Sequence, residues 1–197
     1  MGVESNQILL VLSGPSGVGK TTVAKRLLSE GDDLVRVVTC TTRESRDGEI
    51  AGVDYHFLSE KEFMRRVKAA EFLEHAEVYG RRYGTTKSSV REMFASGRDV
   101  LLVNDVQGAL TICAIANQDE QLKNAKMAII LMTVDISELS NRLKLRGEDG
   151  SETIKKRLAV AELEMKQGDR FDYVVASRTK EEDWQRVQAI YHSLKNG

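Results

Sequence analysis

Residues 14–21, Gly14-Pro15-Ser16-Gly17-Val18-Gly19-Lys20-Thr21, constrain this chain more than any other stretch. They fit the pattern G-x-x-x-x-G-K-[ST], a turn that carries a buried strand into a helix. The flanks supply both. Residues 7–13 are an apolar run ended by glycine, as in a strand covered on both faces. Residues 21–30 carry Val23, Leu27 and Leu28 at helical spacing, and Gly31 is placed to close that helix. Glycines let the backbone curl so that successive N–H groups point inward, with no side chain to keep anionic oxygens away. The helix adds the positive end of its dipole. Lys20 is expected to reach the β- and γ-phosphates of a nucleoside triphosphate, and the Thr21 hydroxyl to bind Mg²⁺. The expected triphosphate-binding set is therefore Gly14, Ser16, Gly17, Val18, Gly19, Lys20, Thr21 and Thr22. Four fixed positions recur by chance in roughly one chain in a hundred, and the strand and helix context makes that rarer.

The rest of the chain continues the alternation. Strand-sized apolar runs fall at 34–39, 100–103, 127–133 and 173–176, with a helical pattern over 180–194. Strands separated by helices predict an α/β, three-layer fold with a central parallel sheet. Two stretches break the rhythm. Residues 40–97 are polar, punctuated by glycine, and rich in Arg, Glu and Tyr. Residues 137–170 are almost all helix formers, densely charged through Arg142, Lys144, Arg146, Glu148, Asp149, Lys155, Lys156 and Arg157. On composition the second reads as a solvated amphipathic helix pair. Both are expected to be insertions on a core made of 1–39, 98–136 and 171–197.

Composition excludes several functions. The chain has 197 residues, with 29 Lys+Arg against 30 Asp+Glu, a net charge of −1. That balance argues against nucleic acid or anionic lipid held by bulk electrostatics. Two cysteines, Cys40 and Cys113, cannot make a disulfide framework or a four-cysteine zinc site, and a reducing cytoplasm is the expected compartment. No apolar run approaches the roughly 20 residues of a membrane span. Glu4 stands near the start without a basic run before an apolar one, unlike a secretory signal, and Asn6 stands where acylation of Gly2 would want Ser or Thr. A homo-oligomer is compatible with all of this.

A phosphate loop by itself leaves GTPases, motors, ATPases and small-molecule kinases open. The second segment narrows the choice. Arg43 and Arg46 offer planar forks suited to a phosphate dianion, and Tyr55 and Tyr83 offer neutral donors. Glu74 is suited to guanine, whose N1–H and N2 amine are adjacent donors that one carboxylate can accept. Adenine presents a lone pair at N1, which the same carboxylate repels. Thr41-Thr42-Arg43, Arg46, Gly48-Glu49, Asp54-Tyr55-His56-Phe57, Glu71 to Glu77, Tyr83-Gly84-Thr85-Thr86 and Asp105-Val106-Gln107-Gly108 follow in order. In these motifs the sequence resembles the guanylate kinases, which move the γ-phosphate of ATP onto GMP. The resemblance runs over nearly the whole chain. It implies that Arg43, Arg46, Tyr55 and Tyr83 hold the GMP phosphate. It implies that Glu74, Thr85 and Asp105 face guanine, with Thr41 a nearby hydroxyl. It also makes dGMP a second acceptor. His75 is read as structural.

The same resemblance makes 40–97 a GMP-binding insertion and 137–170 a lid. Arg142-Leu143-x-x-Arg146-Gly147 and Arg157-Leu158 match the lid, with Arg146 and Arg157 reaching the ATP phosphates. Lys20, Arg43, Arg146 and Arg157 are then the expected catalytic cations and Arg142 a further ATP contact. Added cations suit a transferred group whose negative charge is spread. Arg43 and Arg46 in one insertion and Arg146 and Arg157 in the other repel across one cleft, so the two insertions are expected to stand apart until phosphates join them. The chain departs from the family in four places. Ser45 replaces a proline, Val103 an acid on the metal side, Asn104 an apolar residue, and Ser177-Arg178 an Asn-Asp pair. A guanylate-kinase-like protein-binding module is the alternative from another class, and such modules usually lack an intact phosphate loop.

Overall fold

A computed structural model describes residues 7–30, 33–116, 118–119, 122–147 and 150–196. Gly2, Glu4, Asn6, Gly31, Glu148 and Asp149 lie outside the described residues. Five parallel strands make the central sheet: β1 (Ile8–Ser13), β2 (Leu34–Arg36), β7 (Asp99–Val103), β8 (Lys126–Thr133) and β9 (Tyr173–Ala176), in the order β2-β7-β1-β8-β9. Strand alternation sends Ile8, Leu10 and Leu12 to one face and Leu9 and Val11 to the other. The first face packs Val23, Ala24 and Leu27 of α1 (Lys20–Ser29) with Val187 and Tyr191 of α7 (Lys180–Asn196). The second packs Val90 of α3 (Lys87–Ala95) with Val106, Ala109 and Ile112 of α4 (Val106–Ile115). Cover on both faces is why β1 is an unbroken apolar run. Each such leucine contributes about 1.5–3 kcal/mol by leaving water. Asp99 fastens the layers, accepting from Ile8 N at 2.8 Å and from the Tyr191 hydroxyl at 2.6 Å.

The expected strand over 34–39 is shorter than its pattern. It ends at Arg36, and Val37 N donates once more to Leu101 O at 3.0 Å. The chain then crosses to a second sheet at β3 (Cys40–Thr41), where the Thr39 carbonyl already accepts from His56 N at 2.9 Å. That sheet adds β4 (His56–Phe57), β5 (Phe72–Val78) and β6 (Arg81–Thr86) in the order β4-β3-β6-β5. Its small apolar centre is Cys40, Phe63 and Phe72, with Phe63 supplied by α2 (Glu60–Lys68) and stacked on Phe72 at 4.5 Å. The charged segment forms α5 (Ile136–Arg146) and α6 (Ser151–Met165), which bury Leu139, Leu143, Ile154 and Ala161 against the first core face. Asp135 caps α5 by accepting from Ser137 N at 2.8 Å, and Gly147 ends it in the left-handed conformation.

Candidate active site

Three glycines of the loop between β1 and α1 have positive φ: Gly14 at 138°, Gly17 at 94° and Gly19 at 117°. At Gly14 a Cβ would stand 2.3 Å from the Met132 carbonyl oxygen of the neighbouring strand. Glycine is therefore required there by both dihedral and space. Lys20 lies back over this loop, its Nζ donating to Gly14 O at 2.5 Å and Pro15 O at 3.1 Å. Burial lowers its pKa from 10.5 to about 8, opposed by the nearby Glu164 and Asp105 carboxylates and reinforced by Arg146. It remains protonated at neutral pH. Thr21 and Thr22 are exposed in the first turn of α1 and face the same cavity. Val18 offers no side chain to it. The side chain is in the core, its N–H bonds Pro15 O at 3.3 Å, and its carbonyl takes Arg142 Nη1 at 2.9 Å.

The cavity holds about 1100 Å³ and runs from this loop to the second sheet. Glu74 lines it and is 4% exposed. A bulge in β5 puts it there. Pairing slips between Phe72 and Glu74, so Phe72, Leu73 and Glu74 are all buried instead of alternating. Burial lifts the Glu74 carboxyl to about 7. Thr85 hydrogen bonds oppose the shift, the Asp105 charge adds to it, and the Asn104 amide opposes it. Asn104 Nδ2 lies 2.8 Å from Glu74 Oε1. Asp105 is half-buried at the cavity and also caps α4, accepting from Gly108 N at 2.9 Å. Thr85 is fully buried beside Glu74, behind the cavity wall formed by Tyr83 and Gly84. Thr41 is not at the cavity either. It is fully buried, and its Oγ1 accepts from Arg43 N at 3.1 Å, a short local turn that takes the hydroxyl inward. Thr39, two residues earlier, lines the cavity instead.

Arg43, Arg46, Tyr55 and Tyr83 do come together on one wall. Tyr55 and Tyr83 meet edge to face at 6.2 Å, and the Arg43 guanidinium lies 5.3 Å from the Tyr55 ring. Glu49 accepts both prongs of Arg43 at 2.8 and 2.9 Å, and Arg46 N at 2.8 Å. These bonds outweigh burial and hold Glu49 below the usual carboxylate range. Glu49 thus fixes the Arg43 fork and the backbone at Arg46 beside this wall.

The arginines of α5 and α6 have distinct settings. Arg146 is exposed at the end of α5 and faces the cavity. Arg157 is 8% exposed on α6, with Nη2 donating to Ser16 Oγ at 2.5 Å. Arg142 is a bracket: it bonds Glu138 at 2.8 Å, Val18 O, and Ser177 Oγ at 3.2 Å. Ser177 and Arg178 are set by Asp183 of α7, which accepts from Ser177 Oγ at 2.6 Å and Arg178 N at 2.8 Å. The two segments, 40–97 and 137–170, touch at one point. Tyr79, at the β5–β6 turn with φ 52°, places its ring 5.1 Å from the Arg157 guanidinium and its hydroxyl 3.4 Å from Arg157 O. Tyr79 and the buried Glu164 were not found from sequence. Tyr79-Gly80 between two strands is a hairpin-turn signal that locates the tip but not its contact. Glu164, raised to about 7 by burial against the pull of Lys20, looks like any helix surface acid.

The sequence profile of the family described as Guanylate kinase matches residues 6–194. The chain belongs to the guanylate kinase family. A guanylate kinase of Maricaulis maris is 41% identical over 186 residues, covering 94% of this chain and 83% of that one. A guanylate kinase of Clostridium perfringens is 38% identical over 187 residues, covering 95% and 83%. The crystal structure of guanylate kinase from Anaplasma phagocytophilum superposes with a TM-score of 0.76 at 31% identity, over 96% of this chain and 86% of that one. Within the guanylate kinase fold, the phosphate loop and Glu74 line one cavity.

Proposed function

We propose the following division of labour for the guanylate kinase reaction, ATP-dependent phosphorylation of GMP. The observation that carries it is a buried carboxylate, Glu74, sharing one cavity with the Lys20 phosphate loop. ATP phosphates lie on the loop glycines and Lys20, with Arg146 and Arg157 over them. GMP sits with its phosphate between Arg43, Arg46, Tyr55 and Tyr83 and its base on Glu74 and Asp105. Thr85 acts from behind by fixing Glu74, and Thr41 by fixing the Arg43 backbone. The acceptor is already a phosphate oxygen, so no side chain need remove a proton. Lys20, Arg146 and Arg157 stabilise the charge spread over the transferred group, and Arg43 keeps the acceptor in line. Segments 40–97 and 137–170 are the GMP-binding and lid units on the core.

The residues fit a Mg²⁺ ion that arrives with ATP. Among the described residues no group of three or more His, Cys, Asp or Glu could hold a metal, whereas the exposed Thr21 hydroxyl faces the cavity. Thr21 would be its protein ligand, and Val103 adds no oxygen. Bound there, the ion supplies charge neutralisation of the triphosphate. No helix among the described residues is long and apolar enough to cross a membrane. The reading takes ATP and GMP as small-molecule partners, leaves room for a homo-oligomer, and puts the enzyme in the reducing cytoplasm that its two unpaired cysteines suit. ADP production with GMP, dGMP, AMP, UMP and CMP tests the reading. Turnover with GMP and dGMP, and at least tenfold less with the others, is expected. No turnover with any of them would overturn it.

A further inference from the structure

We propose that Asn104 is a positioning residue for the acceptor base, holding the Glu74 carboxylate ionised and aimed at guanine. The inference rests on Glu74 reading the base. Asn104 follows β7 and is 7% exposed, a buried polar side chain at the end of an apolar strand. Its Nδ2 reaches Glu74 Oε1 at 2.8 Å and Thr85 Oγ1 at 3.3 Å. A carboxylate only accepts, so the amide must present Nδ2 to Glu74 and turn Oδ1 away. There Oδ1 is buried with no hydrogen-bond partner among the described residues. An unpaired buried acceptor destabilises the fold, and a leucine of similar volume would avoid it. The bond to Glu74 is what the asparagine offers in return.

The surroundings explain why Glu74 needs it. Asp105 faces it from the N-terminus of α4 and disfavours its charge, as burial does. The Cys40 thiol of β3 lies within its electrostatic reach, and Thr85 donates from β6. Gly108 leaves room on the α4 side, where a Cβ would stand 2.7 Å from Oε2. Asn104 and Thr85 are thus the donors that offset burial and Asp105. Without Asn104 the carboxyl holds its proton to higher pH, and a protonated Glu74 meets guanine N1–H donor to donor.

The test is steady-state kinetics from pH 5.5 to 9 with thermal unfolding on Asn104→Leu and Asn104→Asp. For Asn104→Leu the expected result is about a tenfold rise in KM for GMP at pH 7, from one lost charge-assisted bond. The acidic limb of kcat/KM for GMP should move up by about one pH unit, with kcat and the KM for ATP within twofold of the parent and an unfolding midpoint no lower. Asn104→Asp keeps the shape and adds a second carboxylate, so its limb should move further. It decides the matter if the leucine variant does not fold. An unmoved limb in Asn104→Asp, or a parental KM and limb in Asn104→Leu, would overturn the proposal. Glu74→Gln is the control. If it narrows the GMP/AMP preference while the Asn104 variants behave as parent, only the role of Asn104 fails. If it leaves the preference unchanged, the reading of Glu74 fails too.

Discussion

Replacing Lys20 by methionine should inactivate the enzyme and stabilise the fold. Methionine matches the length of lysine and fills irregular space without charge. Burial moves Lys20 from 10.5 to about 8, a difference of about 2.5 pH units. At about 1.4 kcal/mol per unit the folded state carries a cost of about 3 kcal/mol near pH 7. The substitution also removes two hydrogen bonds, to Gly14 O and Pro15 O, worth about 0.5–1.5 kcal/mol each. A net gain of up to about 2 kcal/mol remains, or a rise of up to about 8 °C in Tm for a chain of this size. The sign with pH follows from a lowered lysine pKa. The cost is fully present below pH 8 and disappears as pH rises towards 10.5, where the unfolded chain also loses its proton. The advantage of Lys20→Met should therefore shrink by about 2 kcal/mol between pH 7 and pH 10. Differential scanning calorimetry of parent and variant at both pH values measures this, and ADP production should fall by about 10²–10⁴-fold. A variant less stable than its parent at pH 7, or a stability gap that ignores pH, would refute the argument that the loop holds its lysine at a cost.

Other substitutions test other contacts. Glu74→Gln should weaken GMP and narrow the GMP/AMP ratio of kcat/KM about tenfold or more, from one lost charge-assisted bond of about 1.5–3 kcal/mol. Gly108→Ala places a Cβ 2.7 Å from Glu74 Oε2, so KM for GMP should rise several-fold in steady-state assays while KM for ATP stays put. Tyr79→Leu removes the ring under Arg157, worth about 0.5–2 kcal/mol, and should lower kcat by about 2–20-fold, with Tyr79→Phe keeping most of it. Equal kcat for leucine and parent would show that Arg157 is placed without Tyr79.

What could be read from the residues alone was whatever depends on short spacing. The phosphate loop declares itself because its glycines and lysine act within eight residues. The parallel sheet shows because burial on both faces leaves unbroken apolar runs such as Ile8–Ser13. The wall of Arg43, Arg46, Tyr55 and Tyr83 was also legible, through motif order. Spacing fails where the third dimension decides. Thr41 sits beside the site in sequence, yet its hydroxyl turns inward to Arg43 N. Leu34 to Thr39 reads as one strand, yet the chain changes sheets within it, since nothing local marks which neighbour Thr39 O will meet. Asn104 reads as a misplaced polar residue until Glu74, thirty positions away, is seen against it.

The small sheet also contains a built-in chemical clock. Cys40 is 1% exposed between β4 and β6, and burial pushes its thiol above the usual range, whereas Cys113 is exposed on α4. An alkylating reagent meets Cys113 at the pace of an open thiol and Cys40 only during moments when that sheet separates. The ratio of the two labelling rates therefore reports the local opening equilibrium of segment 40–97 in the unmodified chain. On the proposed reading GMP bridges that segment to the core, so it should lengthen the wait at Cys40 and leave Cys113 untouched. Occupancy of the acceptor site can then be timed by mass spectrometry with no phosphoryl group transferred.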